Sequence, residues 1–236
     1  MKIGTVKARS IIIGLTALLI AVSVTVGVIE ASKISEPKAA FTVVIDAGHG
    51  GVDGGVTGIE SGVKESDLNL EMAKCLEECF KKADVNVVMT RKNKSGLYDS
   101  AEEKNFKRKD FYKRRDIINE ARPDLVLSIH MNFYRGAPYR RGAQVFFNPV
   151  SAESRTLAAD IQNKLNTEIN LKYSKRGYAS LSGDYFILNC TEYPSVIVEC
   201  GFLSNAEDDR LLNTDKYRAE FSYHLFSACM QYLFTR

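Results

Sequence analysis

Histidine is scarce in this chain, with three in 236 residues, and cysteine occurs in an odd number, five. Cys75, Cys79, Cys190, Cys200 and Cys229 include no Cys-x-x-Cys pair, so no thiolate zinc site has spacing to support it. Scattered over expected core positions, they read as small buried hydrophobes and not as a disulfide framework. Charge of one sign is lacking too. The net charge is +3, and residues 1–31 hold three basic residues and one acidic, which leaves the remainder near +1. A chain without a basic block has no electrostatic footprint for nucleic acid. Several motifs are also missing. Without His-Glu-x-x-His there is no helical zincin site, and without Gly-x-Gly-x-x-Gly or Gly-Lys-Ser/Thr the glycines do not read as a nucleotide loop. Without Gly-x-Ser-x-Gly or a Cys–His element, nucleophilic serine or cysteine chemistry is disfavoured.

Long apolar runs are confined to the N-terminus. Lys2, Lys7 and Arg9 precede Ile11–Ile29, nineteen residues without a charge. Crossing a bilayer takes about 20 apolar residues, more than a secretory signal needs. The length, and the poor cleavage site at Ile29-Glu30-Ala31, favour an uncleaved signal-anchor over a cleaved signal peptide at 1–31. The basic flank then stays inside and the rest is exported, to act outside the cytoplasm, anchored or secreted. Residues 32–40, polar and holding Pro37, read as a linker, and 41–236 suit one α/β domain.

The stretch 41–70 organises that domain. An apolar run, Phe41–Ile45, has the continuous pattern of a strand buried on both faces. It stops at Asp46-Ala-Gly-His-Gly-Gly51, and Glu65 then opens a helical pattern through Leu68, Met72, Leu76 and Phe80. Further strands are expected at 85–89, 125–129, 143–147 and 194–198, with a short extended piece at 185–188. Helices are expected at 111–121, from Ser151 to about Ile169, and at 217–234. Residues 92–110 are charged and patternless, in position for a lid but more simply a solvated insertion. The loop 133–142 carries Arg135, Arg140 and Arg141 among aromatics, suited to an anionic or sugar ligand or else merely solvated. His224 falls in the last helix and reads as structural.

Three polar groups lie at the ends of apolar strands, His49, His130 and Glu199, and Glu65 at a strand-to-helix connection. Strand ends of one sheet share an edge, where ligands bind in α/β folds. Two histidines and a carboxylate are what a catalytic zinc takes, and a second carboxylate can move a proton to a leaving amine.

In order and spacing, Asp46-Ala-Gly-His-Gly-Gly51, Glu65-Ser-Asp-Leu-Asn-Leu70, Thr90-Arg91, Ser128-Ile-His-Met-Asn132 and Val198-Glu-Cys-Gly-Phe-Leu-Ser-Asn205 resemble the zinc-dependent N-acetylmuramoyl-L-alanine amidases of the amidase-3 type. The resemblance covers 41–236. It implies a twisted, mostly parallel sheet with helices on both faces and Zn2+ held by His49, Glu65 and His130. It also implies Glu199 as catalytic carboxylate and Asn132 supporting the site or substrate, while Arg135 is a substrate-binding candidate from its loop. The implied reaction is hydrolysis, in peptidoglycan, of the amide between the muramic lactyl group and L-alanine. The short, single-domain, anchored layout looks most like the CwlD-type sporulation and germination amidases, which act in making muramic-δ-lactam in spore cortex. Two departures are visible: Ala47 where the family usually has proline, which would loosen the loop aiming His49, and Cys200 where a small hydroxyl residue is common. They raise the expectation of weak metal retention and of an activating partner protein at the membrane. The other readings weighed are a zinc peptidase acting within the stem peptide and a non-enzymatic peptidoglycan-binding module.

Overall fold

The computed structural model describes residues 41–98 and 104–236. The signal-anchor and linker expected at 1–40 lie outside them. Among the described residues no helix is long and apolar enough to cross a membrane.

Six strands form one sheet: β1 (Thr42–Ala47), β2 (Asn86–Met89), β3 (Leu125–Asn132), β4 (Gln144–Phe147), β5 (Leu181–Ser182) and β6 (Ser195–Phe202), in the order β2-β1-β3-β6-β4-β5. β2, β1, β3 and β6 run parallel, whereas β4 pairs antiparallel with β6 and parallel with β5. The sheet is therefore mixed, with four parallel strands running inward from the β2 edge and the site-bearing strands β1, β3 and β6 side by side. Both faces of those strands are buried, which is why their sequences do not alternate.

Helices cover both faces. On one, Leu68, Met72, Leu76 and Phe80 of α1 (Glu65–Lys81) meet Val43, Ile45, Leu127 and Ile129, together with α3 (Ala152–Leu165) and α6 (Asp215–Thr235). On the other, Val44, Val126 and Ile197 pack under Ile118 of α2 (Phe106–Ala121) and Ile187 and Leu188 of α4 (Phe186–Asn189). The second core is small and covers only part of its face.

Ser151 caps α3 as expected, accepting from the Ser154 N–H at 3.1 Å. The chain then widens into a π-helical turn, Asn166–Asn170, and ends in Leu171–Tyr173. Four elements differ from expectation, among them the two-residue strand β5, which was not expected. α2 begins at Phe106, earlier than residue 111. The piece at 185–188 is helical, because consecutive Ile187 and Leu188 must both face the small core, which one helical turn allows and a strand does not. α5 (Ala206–Leu212) was not expected, although Asn205 followed by Glu207, Asp208 and Asp209 is a helix start, and the Asn205 side chain accepts from the Glu207 and Asp208 N–H groups.

Phe80 is wholly buried and meets Phe226 edge-on at 5.2 Å between ring centroids. Phe80→Ala is expected to cost about 3–5 kcal/mol of stability, read from the shift in urea midpoint.

Candidate active site

β1 carries a carboxylate into the sheet. Asp46 is 1% exposed and accepts from Ser128 Oγ at 2.6 Å, Thr90 Oγ1 at 2.7 Å and Arg114 Nη1 at 2.5 Å. Burial alone would raise its pKa, but Arg114 and the three hydrogen-bond donors outweigh that and hold it at about 2. Arg114, itself buried, also donates to the carbonyls of Ala47 (2.8 Å) and His49 (2.7 Å). Arg91 donates from the other side to Ala47 (2.8 Å), Gly48 (2.9 Å) and Ser66 (2.8 Å). Three successive carbonyls are thus clasped by two guanidinium groups. This holds the turn that Ala47, in place of proline, was expected to loosen.

The clasp fixes His49 in the left-handed region, at φ 59°, where a non-glycine residue is strained. Gly48 has no freedom to be larger: a Cβ there would lie 2.3 Å from the His130 ring. The two imidazoles come to 5.0 Å between centroids as a result.

His130 lies within β3, two residues before its end, in register with Glu199 of β6. Residues in register on adjacent parallel strands present side chains to the same face, so the pairing sets these two beside each other. The register then shifts between His130 and Asn132, an irregularity of the kind found next to active sites.

Glu65 is the first residue of α1 and 3% exposed. Its Oε2 accepts from the Val56 N–H at 3.0 Å, and its Oε1 from the Met131 N–H at 3.3 Å and Asn69 Nδ2 at 3.4 Å. Oε1 also lies 3.2 Å from His49 Nε2 and 3.0 Å from His130 Nδ1. Burial would raise this carboxyl, but the two histidines hold it well below the usual range. His49 is opposed by burial yet raised to about 9 by Glu65 and by Asp53, whose Oδ2 is 3.0 Å from its Nδ1.

Ligand atoms of His49, Glu65 and His130 all lie within 4.8 Å of one another. Two imidazoles and a carboxylate, with the carboxylate hydrogen-bonded and His49's far nitrogen on Asp53, fit a divalent cation that takes nitrogen and oxygen donors. Beside them Glu199 keeps Oε2 out of solvent, and among the described residues that atom has no hydrogen-bond partner. Burial, with the Glu65 charge adding and the histidines opposing, pushes Glu199 up to about 7.

His49 and His130 line a cleft with a cavity volume of about 70 Å³, walled by Tyr98, Phe106, Phe111 and Ile187. The segment read as a lid or surface insertion contributes Tyr98, whose hydroxyl accepts from the Val52 N–H at 2.6 Å and packs it on the glycine turn. Asn132 is half-buried, two residues beyond His130, and its carbonyl accepts from Leu203. Arg135 is exposed, lies over the Phe133 ring at 5.9 Å and does not line the cleft; Arg141 is paired with Asp208 and Glu207. His224 sits on α6 against Tyr223, away from this cluster, as expected for a structural residue. Cys200 faces the larger core, opposite Glu199, with Sγ near the Val198 carbonyl. The clasp of Asp46, Arg91 and Arg114 was not foreseen as part of the site. A lone carboxylate within an apolar strand was the available signal, since it needs a buried partner.

Because Asp46 is held at about 2 against an ordinary 3.8, its contribution to stability is full above about pH 4 and lost as pH falls toward 2. Asp46→Asn should lower stability at pH 7 and flatten its decline between pH 4 and 2, as measured by chemical denaturation across that range.

Residues 43–229 match the family described as N-acetylmuramoyl-L-alanine amidase. A germination-specific N-acetylmuramoyl-L-alanine amidase of Bacillus subtilis is 30% identical over 200 residues, 84% of this chain and 82% of that protein. The CwlD amidase of Clostridioides difficile, solved in complex with the GerS lipoprotein, superposes with a TM-score of 0.77 at 27% identity, over 83% of this chain and all of that one. An N-acetylmuramoyl-L-alanine amidase of Clostridium difficile 630 superposes at 0.71 and 26% identity, over 84% of this chain and 99% of that one. The site stands on strands and turns that this similarity spans, and the chain belongs to the N-acetylmuramoyl-L-alanine amidase family of peptidoglycan hydrolases.

Proposed function

We propose that this chain is a zinc-dependent amidase that cleaves the bond between the muramic lactyl group and L-alanine in spore-cortex peptidoglycan. The observation that carries this reading is the meeting of His49, Glu65 and His130 beside a desolvated Glu199 with an unpartnered oxygen. His49, Glu65 and His130 hold the ion. When bound, zinc supplies Lewis acidity toward a carbonyl and brings the pKa of water toward neutrality. Glu199 takes the proton of the attacking water and returns it to the departing L-alanine nitrogen, so that the peptide leaves as a free amine. The Asp53–His49 contact keeps the His49 imidazole aimed, the β3 register places His130, and the Asn132 position beyond His130 supports the substrate.

The cortex assignment is supported by the similarity to the germination-specific and CwlD amidases. We further propose the organisation 1–31 signal-anchor, 32–40 linker and 41–236 catalytic domain, with the domain outside the cytoplasm. A lipoprotein partner is part of this proposal, supported by the relative solved with GerS.

Glu199→Gln is expected to keep the zinc content of the wild type and lose turnover by about 10²–10⁴-fold. His49→Ala and His130→Ala should lose both. Mass spectrometry of digested peptidoglycan should show intact peptides beginning at L-alanine. Fragments cut inside the stem peptide would instead establish a peptidase, and turnover retained by Glu199→Gln would remove its proposed role.

Purified alone, the chain is expected to hold substoichiometric zinc and to gain metal and activity with its partner. Full zinc content and full turnover without any partner would overturn that requirement.

A further inference from the structure

Aromatic side chains gather where α2 meets α4. Phe111 and Tyr112 of α2 lie 5.3 and 5.8 Å from the Phe186 ring, and Tyr185 meets Phe146 edge-on at 5.7 Å. Phe111, Tyr112, Tyr185 and Phe186 are between 38% and 44% exposed, which is unusual for large rings so close together. They do not stand apart from the active site. Phe111 and Ile187, the residue after Phe186, are cleft walls. The Tyr185 phenol is pushed up by burial and by the Glu199 charge.

Along α2 the rim changes character. Lys107 pairs with Asp53 at 3.4 Å beside the His49 loop, and one turn later Phe111 begins the aromatic stretch. A muramoyl-alanine amide has the same division. One side of the scissile bond is a peptide bearing charged groups, and the other is a chain of N-acetylated sugars. With the amide over His49, His130 and Glu199, the saccharide half must leave the cleft along a wall. Sugar rings carry an apolar face of C–H bonds and a polar edge, which suits an aromatic surface bordered by hydrogen-bond donors. Arg115, 4.8 Å over the Tyr112 ring, lies at that border, with Nε and Nη2 on Asp116 and Nη1 left to donate. The rings pack on one another, which limits the entropy lost on binding.

Resting on the amidase reading, we propose that the rim formed by Phe111, Tyr112, Tyr185 and Phe186 is a subsite for the glycan strand. N-acetylhexosamine rings stack there, and the enzyme gains its preference for polymeric over single-sugar substrate.

The test uses the full-length, zinc-loaded protein with two substrates, a single N-acetylmuramoyl-peptide and a peptide-bearing strand of several disaccharides. Binding of peptide-free strands is measured in parallel. In Tyr112→Ala/Phe186→Ala the ratio of the strand KM to the single-sugar KM should rise about tenfold, as expected for loss of aromatic contacts. Affinity for peptide-free strands should fall by a similar factor, and Phe186→Tyr should retain the wild-type ratio and affinity. An unchanged ratio with unchanged strand binding would overturn the subsite and leave the rim to a protein partner. An equal rise in both KM values would overturn it in favour of a structural role. Absence of peptide release by the wild type from either substrate would count against an amidase acting without its partner, while binding of peptide-free strands still decides the subsite.

Discussion

The site depends on two buried guanidinium groups holding the end of one strand. Arg114 and Arg91 take up the carbonyls of Ala47, Gly48 and His49, and Asp46 balances Arg114 from within β1. A run of glycines has little conformational preference of its own, and three buried carbonyls without donors would be costly. The clasp turns that run into a fixed shelf with His49 in a strained conformation. Removing one partner would leave a desolvated charge, which is far more damaging than replacing the whole network. The arginines are thus part of the active-site scaffold, and Arg114 also lines the cleft beside His49 and His130.

The four functional groups are fixed by different devices. His49 is placed by the clasped turn, and Glu65 by donors from Val56, Met131 and, within its own helix, Asn69. His130 and Glu199 are placed by strand register. Register is strict because a slip by one residue would send both side chains to the apolar face and expose core residues in their place. The face they occupy carries only the small core of Val44, Val126 and Ile197, and that core stops short of the strand ends. The space beyond it is the cleft. Its desolvation also sets Glu199 apart from an ordinary surface glutamate, since a carboxyl near neutrality can both accept and return a proton.

Much of this was legible beforehand, for identifiable reasons. Strands buried on both faces have continuous apolar sequences, so β1, β3 and β6 were expected near where they lie. A polar residue that interrupts such a strand is noticeable, so His130 and Glu199 stood out. Ser151 announced its helix because a cap is a local interaction. The missed elements depended on what lay opposite them. Tyr185–Leu188 has no local preference strong enough to choose strand or helix, and the small core chose helix. The loop arginines resembled a ligand grip, but Arg141 is occupied by Asp208 and Glu207 and Arg135 lies outside the cleft.

By itself the sequence determined the apolar periodicities, the glycine turn after the first strand, and the identity and order of His49, Glu65, His130 and Glu199. Those are properties of neighbours along the chain. Only the tertiary structure decided that His130 and Glu199 stand in register, that Glu65 lies between the two imidazoles, and that Arg91 and Arg114 converge on one turn. These contacts join residues up to 82 positions apart, as in Ser128 to Asp46. Their geometry follows from sheet pairing and from the need to satisfy buried charge, and neither is written in any single segment.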